Sequence, residues 1–444
     1  MKNIKIAFGL LVLGLTGLWL LADTLLPEPL TYFSFRTPFI QYSGVLGMAM
    51  MSVAMILALR PRWLEPRLRG LDKMYRLHKW LGITGLIVLT LHWWWAQGSK
   101  WMVGWGWLSA PERNVSGENS LGWLEQALRN QRGWAEDVGE WAFYGAAILI
   151  ILALIKAFPY HWFKKTHKWL AVAYLVLVYH SLVLMQFAYW GQPVAWVMTG
   201  LMVYGSVAAV LILAGRLGHH RKVLGKLESF KYYPDLKVTE GNIELGRGWP
   251  GHLPGPFAFV SDQSAEAAHP YTIASAWDPA AERLRFIVKN LGDWTGRLPE
   301  HLTVGMAVTV EGPYGCFDFT DDCDQQIWIG AGIGITPFIA KLEHRARSPD
   351  KLPVTLFHVT DVYDSVAIKK LVAAAKSANV QLHVRVTPKE GRLTAEQVRD
   401  AVPDWQSASL WFCGPALFAD ALRKDFIRHG MPPERFHQEL FGMR

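Results

Sequence analysis

The sequence contains few cysteines. Cys316, Cys323 and Cys413 are the only three in 444 residues, and all lie in the second half of the chain. None of their spacings resembles a metal-binding knuckle, and three scattered cysteines do not form a disulfide framework. These absences argue against a disulfide-stapled secreted domain and fit a second half that lies in a reducing cytosol.

Charged residues are also scarce. They make up 18% of the chain, whereas hydrophobic residues make up 51%, and there are 22 tryptophans. Long apolar runs crowd the first 215 residues and are absent from the remainder, where charged residues are spread as in a globular protein. The sequence therefore predicts a membrane half followed by a soluble half.

The net charge of +8 comes from basic clusters that border apolar runs. Seven basic residues lie between Arg60 and Lys79, and others lie at 164–168 and 216–222. The positive-inside rule places such clusters in cytosolic loops. We therefore expect membrane lipid, and no nucleic acid, around these basic residues.

Six apolar segments each approach the ~20 residues that cross a ~30 Å hydrocarbon core. The first follows Lys2 and Lys5, as in a signal peptide, but residues 21–24 are a poor cleavage site, so we expect a retained span. With the basic loops inside, both termini are cytoplasmic. The segments lie at about 5–22, 40–59, 79–97, 139–158, 168–189 and 193–215.

The sequence pattern of the second half differs from that of the first. Short alternating stretches bounded by Gly and Pro, such as 257–260 and 284–288, predict a small antiparallel barrel. After Gln326, strands alternate with helical patterns, which predicts a doubly wound, largely parallel α/β sheet. We expect a membrane all-α six-helix bundle at 1–220, the barrel at 221–322 and the α/β domain at 323–444.

Four histidines lie at regular spacing in two of the predicted spans. His78 and His92 are 14 residues apart in the third span, and His167 and His180 are 13 apart in the fifth. At ~1.5 Å per residue these spacings cover roughly 20 Å. Histidine is a standard axial ligand of haem iron. Both spans run from inside to outside, so we pair His78 with His167 and His92 with His180.

Helix faces complicate this hypothesis. At ~100° per residue, 14 steps leave two side chains about 40° apart, but 13 steps leave them about 140° apart. The fifth span must therefore be tilted, be locally distorted or present its ligands from different sides. Each histidine taken alone is more simply an interfacial or core residue. Four of them on two parallel spans favour two haem sites.

Two motifs in the barrel region suggest a flavin site. In His269-Pro-Tyr-Thr-Ile-Ala-Ser275, an aromatic ring can cover an isoalloxazine and a hydroxyl can reach its edge. In Gly292-Asp-Trp-Thr295, the threonine can offer its hydroxyl and backbone N–H to phosphate. Either motif alone also fits an ordinary strand and turn.

Two further motifs follow predicted strands of the α/β sheet. Gly330-Ala-Gly-Ile-Gly-Ile-Thr-Pro337 connects a strand to a helix, where glycines admit a pyrophosphate and the helix N-terminus favours an anion. Phe412-Cys-Gly-Pro415 ends a later strand at the same edge. A thiol there can lie beside a nicotinamide, or can simply be a small buried residue.

Together these motifs resemble the NADPH oxidase and ferric reductase family, of bacterial type, and the second half resembles the ferredoxin-NADP reductase superfamily. The resemblance implies a multi-pass protein, of a bacterial inner membrane, that binds FAD, two b-type haems and NADPH or NADH. It assigns haem iron to His78, His92, His167 and His180. It assigns FAD to His269, Tyr271, Thr272 and Thr295, and we further expect FAD contacts from Pro270, Ser275, Lys289 and Gly292. It assigns the nucleotide to Gly332, Gly334, Thr336, Cys413 and Gly414, and we further expect nucleotide contacts from Gly330, Pro337 and Pro415.

The chain departs from the family at two positions. Members often end at an aromatic residue that stacks on the flavin, whereas here Phe441 is followed by three more residues. Animal oxidases carry a second histidine four residues after the outer ligand, where this chain has Ala96. We take Phe441 as the stacking candidate, Cys413 as the residue beside the nicotinamide, and Arg36 as positive charge near the outer haem.

The resemblance implies electron transfer from NAD(P)H through FAD and the haems to an outer acceptor. Oxygen, giving superoxide, is the first acceptor considered. A ferric or other metal chelate is the second, and a partner protein docking on the loop at 98–137 is the third. Resemblance to the family favours NADPH as the electron donor. Asp361, at the end of the second α/β strand, disfavours the 2′-phosphate of NADPH. Basic residues that could approach this phosphate are Lys369, Arg385 and Arg392.

Overall fold

The structure, a computed structural model, describes residues 2–109, 122–262 and 268–439. The chain divides into two compact units. The first comprises residues 2–68 and 73–217, and the second comprises 69–72 and 218–439. Each unit has its own hydrophobic core.

The first unit is entirely helical. Its described helices are α1 (Lys2–Leu20), α2 (Tyr32–Ala58), α3 (Glu65–Leu68), α4 (Leu71–Gly104), α5 (Trp123–Asn130), α6 (Arg132–Leu154), α7 (Tyr160–His167), α8 (Leu170–Leu184) and α9 (Pro193–Leu213). Five segments among the described residues are long and apolar enough to cross a membrane, namely Lys2–Leu20, Tyr32–Ala58, Arg132–Leu154, Trp162–Leu184 and Pro193–Leu213.

The third predicted span lies inside α4. This helix has 34 residues, which at ~1.5 Å per residue is long enough to cross a bilayer. It is less apolar than the other five because His92, the tryptophans at 93–95 and Gln97 occupy its second half. Polar and ionisable side chains inside a span usually have a function.

A buried polar contact lies in the core of the helical unit. Tyr174 of α8 is completely buried, and its hydroxyl shares a 2.8 Å hydrogen bond with the hydroxyl of Ser52 in α2. Gly205 of α9 makes room for it, since a β-carbon there would lie 2.0 Å from the Tyr174 hydroxyl oxygen. The close approach of α8 and α9 therefore depends on a missing side chain at 205.

The second unit begins with an antiparallel sheet. Its strands are β1 (Lys222–Tyr233), β2 (Val238–Leu245), β3 (Phe257–Asp262), β4 (His269–Thr272), β5 (Arg283–Lys289) and β6 (Ala307–Tyr314), in the order β4-β3-β6-β1-β2-β5. An isolated bridge between Ile273 and Phe286 joins the two edges, so the sheet closes on itself. This arrangement is the predicted small barrel, and α10 (Asp293–His301) follows β5.

A parallel sheet completes the second unit. Its strands are β7 (Gln325–Ala331), β8 (Val354–Thr360), β9 (Gln381–Val386), β10 (Ala408–Cys413) and β11 (Phe436–Gln438), in the order β11-β10-β7-β8-β9. The connecting helices are α11 (Thr336–Arg347), α12 (Ser365–Ser377), α13 (Thr387–Glu390), α14 (Ala395–Ala401) and α15 (Ala416–Arg428). Chain order reverses between β7 and β10, and ligands bind at the carboxyl ends of strands at such a point.

The loop between β2 and β3 supports the end of the flavin motif. The Trp249 indole N–H donates to Nδ1 of His252 at 3.3 Å, and His252 Nε2 lies 3.2 Å from the carbonyl oxygen of Ser275. Nδ1 therefore accepts while Nε2 donates, which requires a neutral imidazole. Burial lowers the pKa of His252, and the nearby His344 lowers it further.

We expect Gly205→Ala to lower stability by about 1–3 kcal/mol, because the new methyl group collides with the Tyr174 hydroxyl. Thermal unfolding followed by tryptophan fluorescence in detergent measures the effect. The matched control is Gly200→Ala in the same helix, where a β-carbon meets nothing within 4 Å. Equal unfolding midpoints for the two variants would contradict this packing.

His252 should make the second unit less stable in acid. In the unfolded chain this side chain takes up a proton near pH 6.5, whereas the folded, lowered pKa resists protonation. The unfolded state then binds more protons, so stability is lost as the pH falls from 7 towards 5. Thermal unfolding midpoints of wild type and His252→Gln should differ in this pH dependence, which is smaller in the variant.

Candidate functional site

The helical unit contains two pairs of histidines, and the two rings of each pair face each other. The His78 and His167 ring centroids are 6.0 Å apart, and the rings are inclined at 63°. The His92 and His180 ring centroids are 6.4 Å apart at 77°. This is the spatial pairing expected from the sequence. We call them the first pair (His78 and His167) and the second pair (His92 and His180).

The fifth predicted span is interrupted between its two histidines, which helps both side chains to face the same partner helix, α4. His167 is the last residue of α7, and α8 begins only at Leu170. Across this break Trp169, Ala171 and Val172 donate to carbonyls three residues back. Such 3₁₀ residues advance ~120° each instead of ~100°, so three of them bring the two side chains about 60° closer to one face.

Backbone carbonyl groups orient three of the four imidazoles. Nδ1 lies 2.9 Å from a carbonyl oxygen in His78, 3.0 Å in His92 and 2.8 Å in His180. The acceptors are Ala54 and Ile40 of α2 and Ala135 of α6, respectively. A histidine whose Nδ1–H donates to a carbonyl presents the Nε2 lone pair to a metal. His167 Nδ1 is buried without such a partner among the described residues.

The spacing within each pair suits a single metal ion. With a nitrogen–metal bond of ~2.0–2.1 Å on each side, two facing imidazoles have centroids roughly 6 Å apart. Within the described ranges, no group of three or more His, Cys, Asp or Glu side chains is arranged to hold an ion. Each pair thus offers two donors, as haem iron requires, since a porphyrin supplies the other four ligands. The residues present fit haem.

Glycines make room for the second pair. A β-carbon at Gly139 of α6 would lie 2.0 Å from His180 Nδ1, and one at Gly44 of α2 would lie 3.4 Å from His92 Cε1. The ring of His180 therefore occupies the space that any side chain at 139 would need. We call this the Gly139 notch.

Arg36 lies against the helical turn that follows His92. Its Nε donates to the Trp95 carbonyl at 3.2 Å, and Nη2 donates to the Ala96 carbonyl at 3.0 Å. Tyr32, Phe35 and Phe39 pack around the Trp95 ring, with centroids 5.1–5.3 Å away. The cation expected near the outer haem is thus fixed to α4 through backbone carbonyls. The partner-docking loop at 98–137 includes residues 110–121, which lie outside the described residues.

Glu140 is a polar residue near the second pair that the sequence analysis missed. Its carboxylate accepts hydrogen bonds from the Trp93 indole at 3.3 Å, the Gln97 amide at 2.7 Å and the Tyr144 hydroxyl. Trp93 and Gln97 belong to α4, so the carboxylate links α6 to the helix that carries His92. An acidic residue inside a predicted span was the available signal.

The flavin motif forms an aromatic cluster in the barrel. The Trp294 ring lies parallel to His269, with centroids 5.2 Å apart and 9° between planes, and its N–H donates to the Tyr271 hydroxyl at 3.0 Å. Burial raises the pKa of Tyr271 to about 12, so this hydroxyl keeps its proton and can donate. Trp294 is a member of this cluster to which the sequence analysis gave no role.

Other predicted flavin residues lie in turns and strand ends. Thr295 Oγ1 accepts from the N–H groups of Leu291 and Gly292 at 2.9 and 3.1 Å, which closes the turn before α10. Ser275 Oγ accepts from the Arg285 N–H at 3.1 Å, so it is tied to β5. Pro270 and Thr272 lie in β4, and Lys289 ends β5.

The nucleotide motifs meet at the carboxyl edge of the parallel sheet. The turn Gly332–Ile335 follows β7, and Cys413 ends the neighbouring β10. A β-carbon at Gly334 would lie 2.1 Å from the Cys413 carbonyl oxygen, so only glycine lets the two segments touch. Thr336 and Pro337 then begin α11, while Gly414 and Pro415 lead into α15.

Cys413 lies at this edge as a neutral thiol. It is fully buried, and burial raises its pKa well above the usual value, with a further contribution from Glu439. Glu439, one residue beyond β11, is therefore a neighbour of the thiol that the sequence analysis missed, because the short β11 carries little sequence signal. Phe441 lies outside the described residues.

Comparison with known proteins identifies two domains. Residues 43–178 match the family "Ferric reductase like transmembrane component", and residues 249–317 match the family "FAD-binding domain". The first match includes three of the four paired histidines and ends before His180. The second match includes the flavin motifs.

Curated relatives and solved structures resemble parts of the chain. A flavohemoprotein of Oceanobacillus iheyensis is 24% identical over 43% of this chain and 51% of its own, and an NADPH oxidoreductase of Mycobacterium tuberculosis is 27% identical over 52% and 63%. The chain spans about half the length of the curated relatives it matches. A flavohemoglobin structure from Malassezia yamatoensis has a TM-score of 0.48 at 16% identity, covering 92% of this chain and 98% of that one.

The matched domains and the described fold agree. The chain is a membrane protein in which a region of apolar helices is followed by a module of one antiparallel and one parallel sheet. The chain thus joins a ferric reductase-like transmembrane component to an FAD-binding domain, which is the architecture of the NADPH oxidase and ferric reductase family of oxidoreductases.

Proposed function

We propose that the protein carries electrons from NAD(P)H through FAD and two haems across the membrane to an acceptor on the outer side, with molecular oxygen reduced to superoxide. The observation that carries this proposal is that the two histidines of α4 each face a histidine of the fifth predicted span, on α7 and on α8, with ring centroids 6.0 and 6.4 Å apart. The donor side would be supplied by the flavin motifs, which lie within the matched FAD-binding domain, and by the nucleotide motifs at the edge of the parallel sheet.

The chain's own residues have distinct tasks. When bound, FAD supplies the conversion of a two-electron hydride into single electrons, and haem iron carries those electrons one at a time. His78 and His167 hold the inner haem, and His92 and His180 hold the outer one. The buried Cys413 and the turn at 332–335 position the nucleotide, and Tyr271, Thr295 and Ser275 hold the flavin.

The acceptor does not bind iron in this proposal. If haem is bound as proposed, each histidine pair would supply both protein ligands of one iron, and the acceptor would then be reduced without binding the iron. Arg36, fixed to the Trp95 and Ala96 carbonyls, places a positive charge beside the second pair. That charge favours an anionic product such as superoxide.

A stopped-flow reduction of the purified protein tests the acceptor. Reduction by NADPH or NADH, with and without oxygen, reports flavin and haem reduction by absorbance and superoxide by a trapping dye. Superoxide formed without added partners supports oxygen as acceptor. Turnover that requires ferric chelate, or haem reduction that stops until an outer-face protein is added, contradicts it.

We expect His92→Ala to remove one haem of two and to stop electron delivery to the acceptor, while NADPH still reduces the flavin. The imidazole that holds the outer iron is lost, but the second unit is unchanged. Haem per protein and the rate of flavin bleaching measure the two effects. His429→Ala, an exposed histidine of the second unit, is the control and should keep both haems.

Gly139→Ala should weaken the same haem site without touching a ligand. The new methyl group needs the space of the His180 ring, so the ring must turn away or the helices must separate. We expect at least one haem to be bound weakly, seen as lower haem content and an altered Soret band. Gly145→Ala in the same helix meets nothing within 4 Å and should retain normal spectra.

A further inference from the structure

The end of β8 carries an exposed carboxylate beside the nucleotide turn. In the parallel ladder of β7 and β8, Ala331 pairs with Val359, and Asp361 comes two residues later. The turn at 332–335 begins directly after Ala331. Since neighbouring strands lie ~4.8 Å apart, Asp361 and the turn occupy adjacent positions on the same edge of the sheet.

The backbone around Asp361 is fixed by its neighbours. Thr360 Oγ1 donates to the Val362 carbonyl at 2.9 Å and accepts from the Val362 N–H at 3.3 Å. Asp364 caps α12 by accepting from the Ala367 N–H at 2.7 Å. Asp361 itself has no hydrogen-bond or ion-pair partner within the described ranges, so its carboxylate is available to a ligand.

Two basic residues that follow in the chain, Arg385 and Lys389, already have partners. Arg385, on the adjacent β9, donates to the Gly391 carbonyl at 2.8 Å and to the Glu390 carbonyl. The Lys389 ammonium lies over the Tyr363 ring, 5.5 Å from its centroid. Lys369 and Arg392 are exposed on α12 and on the loop after α13. The charge presented directly at the end of β8 is therefore negative.

This position has a defined task in sheets of this kind. An acidic side chain at the end of the second strand accepts hydrogen bonds from the ribose hydroxyls of NAD, whereas NADP requires a basic partner for its 2′-phosphate. A phosphate carries about −1.5 to −2 charges at neutral pH, so an aspartate beside it is repulsive.

We propose that Asp361 selects NADH over NADPH as the electron donor, by accepting hydrogen bonds from the adenosine ribose and repelling the 2′-phosphate. This inference rests on the proposed function only in taking a nicotinamide nucleotide as donor. It reverses the preference for NADPH drawn from family resemblance.

The test compares both nucleotides on the full-length protein in detergent. Anaerobic stopped-flow gives the second-order rate constant of flavin reduction, and calorimetric titration with NAD⁺ and NADP⁺ gives affinity without turnover. We expect NADH to be favoured at least about tenfold in wild type, and Asp361→Asn to bring the two close to parity. Asp361→Arg should favour NADPH. Asp235→Asn, an equal charge change in the exposed β1–β2 turn, should keep the wild-type preference.

The outcomes separate this inference from the proposed function. Equal or tighter binding of NADP⁺ by wild type, or a preference that Asp361→Asn leaves unchanged, would overturn the role of Asp361. Flavin that neither nucleotide reduces would refute the proposed electron path, and the titrations would still decide whether Asp361 discriminates the ribose.

Discussion

The hydrogen bond from a half-buried imidazole to a backbone carbonyl is the interaction on which the helical unit depends. A helical carbonyl already accepts one bond from its own helix, but its second lone pair can accept another. In this way Ala54 and Ile40 of α2 and Ala135 of α6 fix histidines of α4 and α8. The directions of the Nε2 atoms of His78, His92 and His180 are therefore set by helices that carry none of the four paired histidines. The first pair involves α2, α4 and α7, and the second involves α2, α4, α6 and α8.

The sequence was informative where function imposes regular spacing. Histidines at intervals of 14 and 13 residues predicted which rings face each other. Alternating stretches between Gly and Pro predicted the antiparallel sheet, and strands that alternate with helical patterns predicted the parallel one. The break after His167 was only one of three alternatives, because Lys168 and Trp169 are not helix-breaking residues. The contacts of Glu140 with α4 were not predictable, since they join residues more than 40 positions apart.

The second unit depends on close approaches between backbone segments. Gly334 touches the carbonyl of Cys413, and Gly255, with φ of +111°, leaves space that a β-carbon would take from the Phe317 carbonyl. These contacts bring the ends of separate strands together without side chains between them. Two side chains at the carboxyl edge of the parallel sheet differ in burial. Burial raises the pKa of the Cys413 thiol and keeps it neutral, whereas Asp361 is exposed. The edge thereby offers a close-fitting, uncharged surface on one side and an anionic group on the other.

The Gly139 notch has a consequence for the speed of electron transfer. The His180 ring fills a recess in the α6 backbone, and its Nδ1 lies 2.8 Å from the Ala135 carbonyl oxygen, so both contacts oppose a rotation of the ring. A metal ligand that stays in place when the charge on the metal changes needs little rearrangement for each oxidation or reduction. If His180 binds haem iron as proposed, the missing side chain at 139 would keep the reorganisation energy of that site small, as preorganised polar sites do in catalysis.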